Sequence, residues 1–283
     1  MKFFKSFTLG LFILACTFTF VGCDLFNNQG TLIENPTNEQ LNNIETAITN
    51  TSTYSGDVTI VNVATIYNTN TVEYDDSSYS KNIVNSTIKI FGTGDNYKAS
   101  KIQKTIGSSH SINLDYTTTV TSERYISKIG NYFTYINKNE ETIKKFDTLS
   151  EVKTYSGFTS IFLLNNISNN LNDLSIYSGE ALKVYALDNA DTSYIFTLSI
   201  VEYAENNETT ALTKSTYEIE IKIGTINNVM MITYCKITSN GFKRDTVADE
   251  WVSANIQQTS ETNYDYVTSS IIIPDASNYE EDV

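Results

Sequence analysis

Apolar and polar residues alternate with a period of two through most of the chain beyond Gly56, and that alternation commits the protein to β structure. The cleanest stretch is Tyr217-Glu218-Ile219-Glu220-Ile221-Lys222-Ile223, with apolar side chains on one face and charges on the other. Candidate strands cover 57–67, 83–92, 96–106, 111–120, 123–129, 132–138, 180–187, 193–203, 213–223, 228–238 and 264–273. Gly130-Asn131 suits a type II′ hairpin turn. With that turn, Tyr125, Ser127, Ile129, Tyr132, Thr134 and Ile136 share one face, and Ile126, Phe133 and Tyr135 share the other with Arg124, Lys128 and Asn137 beside them. Both faces are partly apolar, as in a sheet covered on both sides. Asn240-Gly241 gives a second hairpin signal, leading into Phe242 and Lys243, and Trp251 falls in a short polar segment after it.

Two capping boxes interrupt the β pattern. Thr37-Asn38-Glu39-Gln40 follows Pro36 and precedes Leu41, Ile44 and Ile48, one narrow apolar stripe of the kind that covers a sheet. Thr148-Leu149-Ser150-Glu151 opens a second helical region, with apolar spacing as far as Leu174 and a break or bend at Gly157. Its run Phe158, Ile161, Phe162, Leu163 and Leu164 is too broad for a single stripe, so part of it either fills the core or lines a space for a ligand. Phe158, Ile161, Phe162 and Leu164 are the candidate ligand-lining residues. The resulting order is helix, strands, helix, strands, with roughly eleven strands and only two prolines. This is an α+β fold: one long antiparallel sheet with two helical regions packed on it.

The N-terminus carries Lys2 and Lys5, then an uncharged apolar run from Phe7 to Val21 that ends at Gly22. That run is short for a membrane span, which takes about 20 apolar residues. Phe20-Val21-Gly22-Cys23 resembles the lipobox of bacterial lipoproteins, with Phe in the place usually held by Leu. The resemblance implies cleavage before Cys23 and attachment of acyl chains to Cys23, which would hold the protein at the extracytoplasmic face of the cell membrane. Ile13-Leu14-Ala15-Cys16 is a competing lipobox that would leave CTFTFVGC on the mature chain; an ordinary signal peptide or an uncleaved anchor are the other readings. The expected organisation is a signal peptide over 1–22, a lipidated tether over 23–36, a single β-rich ectodomain over 37–275 and an acidic flexible tail over 276–283.

The element order and hairpins such as Ile129-Gly130-Asn131-Tyr132 resemble the carrier fold of the lipoprotein-localisation type, shared by several lipid-carrying envelope lipoproteins. That resemblance implies a strongly curved, half-barrel-like sheet closed by helices. A β-sandwich and two sequential β domains are the alternatives.

Charge and residue chemistry narrow the function. Lys2 and Lys5 leave with the signal, so 17 basic residues face 33 acidic ones and the formal charge moves from −14 to −16. Nucleic acid, which needs a basic footprint, is not an expected partner. Cys235 is the one cysteine after Cys23, in an apolar stretch suited to an inert buried thiol, so the mature domain has no disulfide pair. His110 is the sole histidine and falls in the turn-like Gly107-Ser108-Ser109-His110-Ser111, a poor setting for a catalytic triad. Acidic clusters at Glu73, Asp75 and Asp76, at Asp188 and Asp191, at Asp245, Asp249 and Glu250, and at Glu280 to Asp282 lack EF-hand spacing and read as solvated loops. No catalytic, metal or cofactor site is expected. Two functions fit: a non-catalytic, membrane-anchored lipoprotein that binds or carries an apolar or lipidic ligand, or a surface interaction or adhesion module for a glycan or another envelope protein. The nineteen tyrosines suit either an apolar cradle, a sugar-stacking platform or ordinary half-buried strands.

Overall fold

The computed structural model describes residues 30–69, 78–111, 114–158, 174, 181–187, 193–204, 209–268 and 270–282. Thirteen strands form one sheet: β1 (Thr31–Ile33), β2 (Val58–Thr69), β3 (Tyr79–Phe91), β4 (Lys98–Ser111), β5 (Leu114–Ile129), β6 (Tyr132–Asn137), β7 (Thr142–Phe146), β8 (Leu182–Ala186), β9 (Tyr194–Tyr203), β10 (Thr213–Ile226), β11 (Val229–Asp245), β12 (Glu250–Asp265) and β13 (Glu280–Glu281). Their spatial order is β1-β8-β9-β10-β11-β12-β2-β3-β4-β5-β6-β7-β13. Two meanders, β2 to β7 and β8 to β12, are thus joined edge to edge where β12 pairs with β2. Every pairing is antiparallel except that of β13 with β7. The sheet is single and continuous, in place of the sandwich or the two β domains.

Both capping boxes form. Thr37 Oγ1 accepts from the Gln40 amide at 3.2 Å and Gln40 Oε1 accepts from the Thr37 amide at 3.0 Å, opening helix α1 (Asn38–Ser52). Thr148 and Glu151 make the same reciprocal pair at the start of α2 (Leu149–Ser156). Gly157 then ends α2 in the left-handed conformation, φ 74°, a position where glycine has no side chain to clash. The break expected at Gly157 thus ends α2 after eight residues, and the remainder of the expected helical region over 159–173 lies outside the described residues. Phe158 is buried beyond it, and Ile161, Phe162 and Leu164 lie outside the described residues.

Each helix covers the meander that does not follow it. α1 precedes β2 but packs against β11, burying Leu41, Ile44, Ala47 and Ile48; α2 precedes β8 but packs against β6 and β7 through Val152. The α1 contact is fixed by a β-bulge, where the β10–β11 register shifts after Lys222 and Ile223 pairs with Ile232. At that bulge the Ile232 amide donates to Thr51 Oγ1 at 2.9 Å, and Tyr266 Oη donates to the Ile232 carbonyl at 2.5 Å. Asn50 Nδ2 adds a bond to the Met230 carbonyl at 3.1 Å.

The Gly130-Asn131 hairpin forms with the expected register, Ile129 opposite Tyr132 and Ile126 opposite Tyr135. Asn240-Gly241 does not turn. It sits inside β11 as an irregularity between Asn240 and Phe242, and the chain reverses only after Asp245, whose carboxylate accepts from the Val247 and Ala248 amides. Trp251 accordingly belongs to β12, and the expected strand at 264–273 is displaced to 250–265. Asn227 and Asn228, both with positive φ of 50° and 64°, make the tight β10–β11 turn. One strand, β5, replaces the two expected over 111–120 and 123–129. Where the acidic end suggested a flexible tail, β13 pairs with β7, and Glu281 and Asp282 meet Lys145 at 2.6 Å and Lys144 at 3.8 Å. The same segment covers a small second core of Tyr125, Ile136 and Ile143 with Ile273, Ala276 and Tyr279. Both faces of the sheet are buried there.

Candidate functional site

Strand register and burial together define the face on which α1 and α2 lie. From β8 to β11 this covered face is apolar: Val184 is opposite Phe196, Phe196 opposite Ile221 and Ile221 opposite Cys235, all buried. Followed across β12 into the other meander, the same row becomes Thr262, Asn62, Ser86, Gln103 and Ser122. Asn62 is buried but satisfied, donating to Ser260 Oγ and Thr262 Oγ1 at 2.8 Å each.

The neighbouring row carries charge. Tyr264, Ile60 and Ile88 stand opposite one another in turn, and where the pattern would continue with apolar residues the chain places Lys101 opposite Ile88 and Arg124 opposite Lys101. Asn137 follows on β6. Two cations directly across a ladder repel, and among the described residues no acid pairs with either to offset this. Arg124 Nε is buried with no hydrogen-bond partner among the described residues. A buried donor left unsatisfied costs about 1–3 kcal/mol. Burial, and then the Arg124 charge beside it, hold the Lys101 amine below its ordinary range. Arg244, the other arginine, is conventional by contrast: it bonds Asp249 and the Thr209 carbonyl at a strand end.

Around this pair the face changes character over short distances. Ala99 and Ile126, opposite each other one step towards the helices, are fully buried. Tyr135 is opposite Ile126 and edge-on to Tyr155 of α2, with ring centroids 5.4 Å apart. Tyr97, on the same side, is buried beneath Lys153 of α2, whose Nζ lies 4.4 Å from the ring centre, and burial pushes its hydroxyl pKa up. In the other direction Val120, four residues along β5 from Arg124 and on the same face, is 62% exposed. Lys101 and Arg124 stand between a covered apolar floor and an open end.

Other groups singled out in the sequence have local explanations. Cys235 is buried among core residues, and burial with the nearby Glu220 charge pushes its thiol up to about 12, which leaves it protonated and inert at neutral pH. His110 stacks on Tyr79 and meets Asp115 at 2.6 Å on the exposed β4–β5 end. Backbone amides at the β11–β12 turn hold the Asp245 carboxyl below its usual range. Glu73, Asp75, Asp76, Asp188, Asp191 and Cys23 lie outside the described residues. Among the described residues no three His, Cys, Asp or Glu side chains converge as a metal site, and no helix is long and apolar enough to cross a membrane.

An aromatic cluster stands on the opposite face near the strand ends. Tyr203 and Trp251 lie 5.9 Å apart, with Lys214 Nζ 4.7 Å from the Trp251 ring centre and 5.5 Å from that of Phe242. Lys214 thus makes cation–π contacts with the Trp251 and Phe242 rings.

Sequence reading had Arg124 on the face of Ile126, Phe133 and Tyr135 but did not bring Lys101 to it. The missing piece was the β4–β5 register, which depends on a single β5 crossing the expected break at 121–122. No family matches the chain, and no characterised protein matches it in sequence.

Proposed function

We propose that the protein is a lipid-anchored lipoprotein of the extracytoplasmic membrane face, held through acylated Cys23, that binds an apolar or lipidic molecule on the covered face of its sheet without chemical turnover. In this reading the sheet is a curved half-barrel and the two helical regions close it. The observation that carries the reading is the breadth of the apolar face. Inner residues of β8, such as Leu182 and Val184, and of β6, Phe133 and Tyr135, belong to one core although nine interstrand steps separate the two strands. Laid flat those steps would span about 43 Å at about 4.8 Å each. The described helices, 15 and 8 residues long, reach about 22 and 12 Å. A sheet that wraps around a shared interior accounts for one core on so wide a face.

Native mass spectrometry of the full-length protein, released from neutral detergent after purification from its host, tests the binding. A non-covalent adduct of lipid mass is expected in addition to the covalent acyl chains. A protein that carries the acyl chains but runs without any adduct would turn the reading towards the interaction module. Anchoring is tested separately: Cys23→Ala should leave unprocessed precursor, because the expected acylation and the cleavage before Cys23 both depend on that residue. Processing at Cys16, or unmodified Cys23 in membrane-extracted protein, would overturn it.

A further inference from the structure

We propose that Lys101 and Arg124 form an anion site on the covered face, receiving the phosphate or carboxylate head of an amphiphile whose tail lies along Ala64, Val84 and Val120, the apolar positions of the same face towards its open end. The inference rests on the ligand-binding reading above and specifies which ligands that site takes. Its basis is geometric. The two cations are direct cross-strand partners on one face, in a chain with 33 acidic residues, yet none of those acids pairs with either among the described residues. Their neighbours on the face are Ile88, Gln103, Ser122 and Asn137, which offer no charge. Repulsion between them and the unpartnered Arg124 Nε are both relieved by one oxyanion placed between them, since a guanidinium and an ammonium each donate strongly to such an oxygen.

Position supports the same ligand. The apolar side of the pair is buried at Ile60, Ala99 and Ile126, while Val120 beyond it is exposed. An amphiphile lying on the open end would cover Val120 and Val84 with its tail and bring its head to rest at the boundary where the cations stand and the filled core begins. The overall negative charge of the protein would repel free anions in bulk, so a tail that contributes its own binding favours an amphiphile over a bare ion.

Three probes on the full-length protein in neutral detergent separate the possibilities: decyl phosphate, decanol and inorganic phosphate, read by isothermal titration and by the shift in melting temperature. Decyl phosphate should bind at least about tenfold more tightly than decanol, and Lys101→Gln or Arg124→Gln should each remove about that factor while leaving decanol binding unchanged. Arg124→Lys, which keeps the charge, should retain part of it. In the absence of probe, Lys101→Gln should raise the melting temperature, which also shows that the variant folds. Tight decyl phosphate binding that both glutamine variants retain would overturn the anion site and leave the lipid-binding reading standing. Binding of inorganic phosphate as tight as decyl phosphate, lost in the same variants, would keep the cation pair but overturn the amphiphile. No binding of decyl phosphate or decanol by folded protein would overturn both.

Discussion

The two meanders share one sheet and one covered face, yet they use that face differently. From β8 to β11 the row through Val184, Phe196, Ile221 and Cys235 is buried and apolar; across β12 and into β2 to β5 it becomes Thr262, Asn62, Ser86, Gln103 and Ser122. Burial of apolar area is what holds a sheet to its cover, at about 25 cal/mol per Å². The C-terminal meander therefore supplies stability from β8 to β11. The N-terminal meander surrenders part of that stabilisation, placing polar groups and two cations without an ion-pair partner among the described residues where its partner places isoleucine and phenylalanine. A region that departs from the pattern sustained next to it on the same sheet is where function is to be sought.

The largest expected effect sharpens that contrast. Phe196→Ala, at a fully buried position, should cost about 3–5 kcal/mol in urea denaturation, whereas Gln103→Ala in the same row should stay within about 0.5 kcal/mol. Equal losses would break the comparison. Next comes the join between α1 and the bulge of β11. Thr51→Val keeps the shape but strands the Ile232 amide, and a loss of about 1–3 kcal/mol is expected.

Alkaline pH probes both meanders at once. Tyr125 in the N-terminal meander and Tyr266 after β12 each have a hydroxyl pKa pushed up from 10.0 to about 12, in both cases mainly by burial. Each holds its proton more tightly folded than unfolded. Their contribution is complete below about pH 10 and lost as pH rises towards about 12. Denaturation midpoints should fall across that window, and Tyr125→Phe should flatten the fall. A flat profile in the unsubstituted protein would mean that these hydroxyls are freely solvated. The smallest effect has the opposite sign: Lys101→Gln should stabilise the ligand-free protein by about 0.2–1 kcal/mol by removing the cross-strand repulsion. A loss of stability there would show that Lys101 has a compensating partner.

Elements governed by neighbouring residues were legible before the structure. Thr37 with Gln40, Thr148 with Glu151, and the turn at Gly130-Asn131 act over two to four residues, and each formed as read. Asn240-Gly241 was misread because a turn dipeptide inside a long ladder can be absorbed as an irregularity when strands on both sides continue to pair, as β10 and β12 do here. The acidic C-terminal segment was misread for a related reason. Its charges suggested solvation, but Lys144 and Lys145 on β7 and an apolar patch at Tyr125, Ile136 and Ile143 give it somewhere to dock.

The sequence by itself determined the β-rich class, the two helix starts and the alternation that assigns each strand an apolar face, because these follow from local periodicity and capping. Only the tertiary structure decided that the two meanders fuse into one sheet through β12 and β2, that each helix covers the other meander, and that Lys101 lies opposite Arg124. Those are pairings between residues from 23 to about 200 positions apart. They are selected by which register buries the most apolar surface while satisfying the backbone, and no local pattern encodes that sum.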